Sequence, residues 1–373
     1  MAVAAVWVVC LCWAAPSAAQ RRGQGADVAT ASAEMELQKG TELTRRGQFQ
    51  EAIPHLLAAR GQVSNDYAVS FNLALCYVAT SQYEAGTMLL QELRSGGHDT
   101  AAVENLLAQV YLGSGQPDQA LKAAEFAAQM SPRDEKLYLL VAEACMDHGY
   151  YDVGIKVTEL GLRNLPKSAR LLFEHGVLLS QVDRLDDARK DFQRTAELAP
   201  GKDIAYIAAA QRSLFDGDVA EARRVAREGI EKASPHFMLL TIYGEAVLRS
   251  GIAPDHVEFA DARAALEKAV ADRPSYSSAQ IALGKLYLLE NRLDDALSRL
   301  EAGRRLDPRN PAVYSNLAAA YRRKGDAAQA DAMLAILAQL NREEAERMNS
   351  ASGDRKAGYA SRIAPPPPKP PQQ

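Results

Sequence analysis

Residues 171–200 read LLFEHGVLLSQVDRLDDARKDFQRTAELAP. Apolar residues recur three, four and seven apart in both halves, a short polar turn separates the halves, and Pro200 closes the run. This is the periodicity of two amphipathic helices folded into a hairpin. The same pattern is written nine times between residue 33 and about residue 344.

The windows begin at Ala33, Tyr67, Ala101, Glu135, Ala169, Asp203, Phe237, Ser277 and Pro311, so seven of the eight spacings are 34 residues and one is 40. The eighth residue of each window is small: Gly40, Ala74, Ala108, Ala142, Gly176, Ala210, Gly244, Gly284 and Ala318. A second small residue recurs at the twentieth place: Ala52, Gly86, Ala120, Gly154, Ala188, Ala222, Ala296 and Ala330, with Ala262 in the long window. Helices that approach closely at these places leave no room for larger groups, and overpacking there costs about 1–3 kcal/mol. Pro132, Pro166, Pro200, Pro274 and Pro308 stop the second helix, and Pro235 does so one residue later. Repeats that pack only on their neighbours override the two-domain expectation that 373 residues would suggest.

Arg184-Leu185-Asp186-Asp187-Ala188 recurs as Arg292-Leu293-Asp294-Asp295-Ala296. A catalytic carboxylate pair could look like this. Two copies at the start of a second helix read instead as helix capping, with the acids facing the positive end of the dipole. The long window gains about six residues, 252–257, expected as a loop, in which Asp255 and His256 have no partners that would make a metal site.

The pattern of small, aromatic and proline positions, as in Asn316-Leu317-Ala318…Tyr321…Gly325…Ala330, closely resembles the tetratricopeptide repeat family over nearly the whole chain. The resemblance implies an all-α, right-handed superhelical solenoid of helical hairpins, a TPR solenoid over residues 33–344. It implies a concave groove lined by first helices, and a protein or peptide as partner. Carried onto this sequence, the groove positions are Phe71, Leu75, Asn105, Gln109, Leu139, Glu143, Arg170, Phe173, Val177, Ile207, Gln211, Thr241, Glu245, Ile281 and Lys285. These form a mixed apolar surface with isolated polar groups, suited to hydrophobic anchors, and they leave a homo-oligomer open. The clamp of Lys, Asn and Arg by which some members hold chaperone C-termini is missing: Asn72 fits one place, but Leu37, Thr41, Ala102 and Leu106 occupy the others.

Composition removes other classes. A net charge of −4 argues against a nucleic-acid partner or an anionic membrane surface, and 6% aromatic residues argue against a base-stacking platform. No HExxH, GxSxG, phosphate loop or dinucleotide fingerprint occurs, and the six histidines are scattered. No enzyme, cofactor or metal is expected. Cys76 and Cys145 lie two repeats apart, too far for a disulfide, and read as small buried hydrophobes.

Residues 1–19 read as a signal peptide. The apolar run 3–15 is too short to span a bilayer, Pro16 breaks it, and Ser17-Ala18-Ala19 offers small residues for cleavage, although no Lys or Arg precedes the run. This gives export to the periplasm or outside the cell, with no stable membrane span after cleavage. A cytoplasmic scaffold is the reading if the segment stays. Residues 20–32 are expected as a flexible leader and residues 345–373 as a helix extension with a proline-rich disordered tail. An accessory subunit of a polysaccharide or protein export machine is the alternative function. Mass analysis of the native protein is expected to find its N-terminus near Gln20; an intact Met1 would remove the export reading.

Overall fold

A computed structural model describes residues 18–363, with side chains described over most of residues 30–346. The apolar segment 1–17 and the proline-rich residues 364–373 lie outside the described residues. Eighteen helices and no strand are present among the described residues. The first helices of the nine repeats are α1 (Ala18–Arg45), α3 (Asp66–Ala79), α5 (Ala101–Gly113), α7 (Glu135–His148), α9 (Ala169–Gln181), α11 (Asp203–Phe215), α13 (Phe237–Arg249), α15 (Ser277–Leu289) and α17 (Pro311–Lys324). The second helices are α2 (Phe49–Ala59), α4 (Tyr83–Ser95), α6 (Pro117–Met130), α8 (Tyr151–Asn164), α10 (Leu185–Leu198), α12 (Val219–Lys232), α14 (Val257–Asp272), α16 (Leu293–Leu306) and α18 (Ala327–Ile363). Seven predicted windows open on the first residue of a helix and the one at Tyr67 opens one residue late. The chain is an all-α helical repeat solenoid.

Two compact units divide within α10, residues 1–188 and 189–373. In the first, α1 to α8 form four hairpins and α9 follows them; each first helix lies beside the next, α1 on α3, α3 on α5, α5 on α7 and α7 on α9. In the second, α11 to α18 form four hairpins with the same neighbour rule, α11 on α13, α13 on α15 and α15 on α17.

Every hairpin turn uses one backbone device. The fifteenth residue of each window has positive φ: Gly47, Gly115, Gly149, Gly217, Gly251 and Gly325, with Ser81, Asp183 and Asn291 at φ 59° in the other three. Glycine carries no steric cost in that left-handed conformation, and Asn and Asp tolerate it better than most residues. Five first helices begin on Asn, Thr, Asp or Ser caps: Asn65, Thr100, Asp134, Ser168 and Asn310 accept a backbone N–H within their own first turn.

The small positions lie at close approaches. All the alanines at the eighth and twentieth places are buried. A Cβ added at Gly244 would lie 2.5 Å from Cγ of the fully buried Leu266; at Gly284, 2.6 Å from Leu300; at Gly40, 2.7 Å from Leu56. A third close approach, at the twenty-seventh place, escaped the sequence reading: a Cβ at Gly161 would meet Tyr138 at 2.8 Å, at Gly229 Tyr206 at 2.6 Å, and at Gly303 Ile281 at 2.7 Å.

Two expectations need correction. Residues 20–32 are helical, because a run without proline carries α1 back to Ala18. The six extra residues of the long repeat are not all loop: four lengthen the α13–α14 connection and two lengthen α14, compared with the α15–α16 hairpin. The paired aspartates stand in the first turns of α10 and α16, as expected. Residue Arg292 holds the N-cap place of α16 with no side-chain cap bond, and its guanidinium pairs with Asp295 at 2.7 Å. In the first turn the helix dipole favours the acids.

Two glycines of the same repeat pattern are expected to respond with opposite sign. Gly244→Ala should lower the urea midpoint, at a cost of about 1–3 kcal/mol from overpacking. A Cβ at Gly86 meets only ordinary contacts, the nearest at 3.5 Å. Gly86→Ala should therefore leave stability unchanged or raise it by roughly 0.5–1 kcal/mol. Equal losses at both sites would contradict this packing.

Candidate functional site

The expected groove positions lie on first helices, and each unit carries its own row of them. In the first unit Phe71 and Leu75 on α3 and Leu139 on α7 are half-buried, as is Val177 on α9, while Glu143 and Arg170 are exposed. Asn105 is buried, and its amide donates to the carbonyl of Leu137 at 2.6 Å while Gln109 donates to its Oδ1 at 3.0 Å. Asn105 thus fastens α5 to the start of α7, and half-buried Gln109 is the polar group left at the surface of α5. Phe173 is buried.

In the second unit Ile207 on α11, Thr241 on α13 and Ile281 on α15 are buried, and Thr241 spends its hydroxyl on the carbonyl of Phe237 at 2.8 Å. Gln211, Glu245 and Lys285, all ninth in their windows, are half-buried. The structure therefore separates the candidates. Asn105, Phe173, Ile207, Thr241 and Ile281 are packing residues, since a larger share of each faces neighbouring helices than solvent. The ninth-place residues Leu75, Gln109, Glu143 and Val177 in one unit, and Gln211, Glu245 and Lys285 in the other, form the reachable rows.

Electrostatics single out one residue that sequence reasoning passed over. Half-buried Glu174 on α9 has its carboxyl pushed up to about 7 by burial, with a further rise from Glu143 and opposition from Arg170. Glu245 is raised in the same direction by burial, against Arg249 and Lys285. A partly accessible carboxyl crowded by protein in this way marks a sheltered surface. The signal for Glu174 was a single acid inside the apolar run LLFEHG.

Other candidate chemistry resolves into structure. His256, in the insertion, caps α14 by accepting the N–H of Glu258 at Nδ1, 3.2 Å away. His236 caps α13 in the same manner, at 3.3 Å from the nitrogen of Met238. Burial lowers the His236 pKa, which suits the neutral ring that such an acceptor requires. Cys76 and Cys145 are buried free thiols, Cys76 lying 3.2 Å from the Thr44 hydroxyl. A depression of about 330 Å³ on the second helices of the second unit is lined by three arginines. Each is matched: Arg223 with Glu258 at 3.1 Å, Arg224 with Glu221 at 2.7 Å, and Arg227 with Glu258 at 2.9 Å. Among the described residues, no group of three His, Cys, Asp or Glu could hold a metal ion, and no helix is long and apolar enough to cross a membrane.

Family models described as tetratricopeptide repeat match residues 43–110 and 258–307, and a second model of the same description matches residues 105–169. Curated protein sequences include no match. Among solved structures, a tetratricopeptide repeat protein from Parabacteroides merdae is 18% identical, covers 69% of this chain and 99% of its own, and has a TM-score of 0.49. The APC/C hetero-tetramer Cut9–Hcn1 is 14% identical over 82% of this chain and 60% of its own, with a TM-score of 0.45. YrrB, a TPR protein with an unusual peptide-binding site, is 19% identical over 52% of this chain and 97% of its own, with a TM-score of 0.34.

Glu174 supplies a pH test. Its folded pKa lies above the ordinary value of 4.5, so the folded state holds the proton more tightly and the carboxyl costs stability once ionised. That cost is absent below about pH 4.5 and complete above about pH 7. Glu174→Gln should raise the melting temperature at pH 8.5 relative to the parent and leave it nearly unchanged at pH 4.5. A variant equally stabilised at both pH values would show that the carboxyl is not sheltered.

Proposed function

The chain belongs to the tetratricopeptide repeat family, and from that premise we propose that it receives peptide segments or partner subunits on the first-helix rows of its two units. Proteins of this family are generally non-enzymatic scaffolds for protein–protein interaction. The observation that carries the finer reading is the recurrence of reachable side chains at the ninth place of successive first helices. Half-buried Leu75 and Val177 offer apolar contact, and Gln109, Gln211, Glu245 and Lys285 offer dispersed polar contacts. Apolar contact supplies affinity and isolated polar groups fix register. The burial of Phe173, Ile207 and Ile281 leaves half-buried Phe71, Leu75, Leu139 and Val177 as the reachable apolar groups.

We further propose that the protein is exported, on the strength of the apolar run at residues 3–15 and the small residues before Gln20. In that setting a partner subunit of an export or assembly machine is a natural occupant.

A photo-crosslinking amino acid placed at Gln109 or Gln211 in the native host should capture discrete protein partners. The same group at the solvent-facing Lys122 on second helix α6 serves as the comparison. Discrete adducts from the first two positions alone would support the reading. Equal labelling from all three would contradict it.

A further inference from the structure

Exposed large apolar residues break the burial pattern of the repeats at two places, one in the first repeat and one in the last. Met35, the third residue of its window, is 63% exposed, whereas the third residue of each later repeat is at most 9% exposed, Val69, Leu171, Leu239 and Val313 being fully buried. Leu334, the twenty-fourth residue of its window, is 37% exposed, whereas its equivalents in the eight earlier repeats are at most 5% exposed, Leu56 and Leu300 among them. Among the described elements, α1 packs on α2 and α3 alone and α18 packs on α17 alone.

Met35 lies at the place of the junction at which a second helix receives the next repeat's first helix; Leu334, whose equivalents Leu56, Leu266 and Leu300 face the eighth residue of their own hairpin, stands on that second helix between the twentieth and twenty-seventh places that form the junction. At that junction the third residue lies over the twenty-seventh of the preceding repeat: Leu171 is 3.0 Å from a Cβ built at Gly161, and Leu239 is 3.1 Å from one at Gly229. The tenth residue lies over the twentieth, as Val110 does at Gly86 and Leu178 at Gly154. We propose that the chain associates head to tail, the last repeat of one copy receiving the first repeat of a second copy. The same register then sets Met35 over Leu337 and Glu42 over Ala330, with Lys39 between them beside Leu334.

Met35 is the one apolar residue of this set on α1 and has the flexible, polarisable side chain that adapts to an irregular surface. The twenty-seventh place, small at Ala59, Gly161 and Gly303, is Leu337 in the last repeat and is half-buried, so it offers Met35 a larger partner. Lys39 and Glu42 stand where the second repeat has Leu73 and Cys76, both fully buried. The Lys39 stem can lie along Leu334 with its ammonium in water, and Glu42 is already paired with Arg45 and Arg46 at 2.7 Å. The copy-to-copy junction is accordingly weaker than the internal ones and reversible. Because the two surfaces differ, the contact is heterologous and does not close on itself as a two-fold dimer does.

Sedimentation velocity of the full chain over a concentration series tests this, using the parent, Met35→Glu, Leu334→Glu and an equimolar mixture of the two variants. The parent should give a concentration-dependent series of species. Each variant alone should sediment as a monomer, because each lacks one half of the junction. Their mixture should stop at a one-to-one dimer joined through the intact Leu334 face of one and the intact Met35 face of the other. A parent that stays monomeric, a mixture that stays monomeric, or loss of association in Leu334→Glu alone would overturn the proposal, the last outcome indicating symmetric pairing of α18. Far-UV circular dichroism checks each variant; should either lose helix, Met35→Ser and Leu334→Ser are read in its place.

Discussion

Close backbone approach is the constraint on which the rest of this structure depends. Two helices of a hairpin meet where Gly40, Gly244 and Gly284 lie against Leu56, Leu266 and Leu300. Where the eighth residue is Gly40, Gly176, Gly244 or Gly284, the twenty-fourth is the large Leu56, Phe192, Leu266 or Leu300; where it is Ala108 or Ala210, the twenty-fourth is Ala124 or Ala226, while Ala74 and Ala318 stand with Leu90 and Leu334. In six of the nine repeats a small residue on one side thus accompanies the space the other side needs, as a closely packed interior requires. Without that approach the second helices could not also take the next repeat, and the core could not propagate along the chain.

Polar bonds then fix how one repeat follows another. Tyr138 donates its hydroxyl to the carbonyl of Pro132 at 3.0 Å, and Tyr314 to that of Pro308 at 2.7 Å. Gln280 reaches Pro274 with its amide at 2.9 Å. The prolines that stop the second helices thus also provide the acceptors that fasten the following first helices. Tyrosine hydroxyls add a second tie across the junction, from Tyr287 to Glu267 at 2.8 Å and from Tyr321 to Glu301 at 3.1 Å. Such bonds contribute about 1 kcal/mol each and, more usefully, a direction.

Helix number, helix starts and the small-residue rule were legible because each is written many times in one register. Depth was less legible. Periodicity assigns Phe173, Ile207 and Ile281 to the first-helix face, yet it cannot say how closely the neighbouring first helices crowd that face, and they prove to be buried. Asn105 reads as a surface amide until its bond to the Leu137 carbonyl is seen. Glu174 was missed because its importance comes from the surrounding protein rather than from its own place in the repeat. Caps made by His236 and His256 were missed because histidine seldom serves in that role, and the left-handed turn was partly hidden where Ser81, Asp183 and Asn291 replace glycine. The Asp-Asp pair was placed correctly in the first turn, and the structure adds the pairing of Asp295 with the Arg292 guanidinium.

The hairpin of α13 and α14 absorbs six extra residues without disturbing what lies below. Phe259 and Ala262 remain fully buried, and Gly244 still meets Leu266. Growth at the hairpin tip is therefore uncoupled from the junctions that hold neighbouring repeats. The tip is a margin at which the chain can lengthen at little cost to the packing that holds the array together. The repeat body, bound on several sides by close contacts, has no such freedom in length.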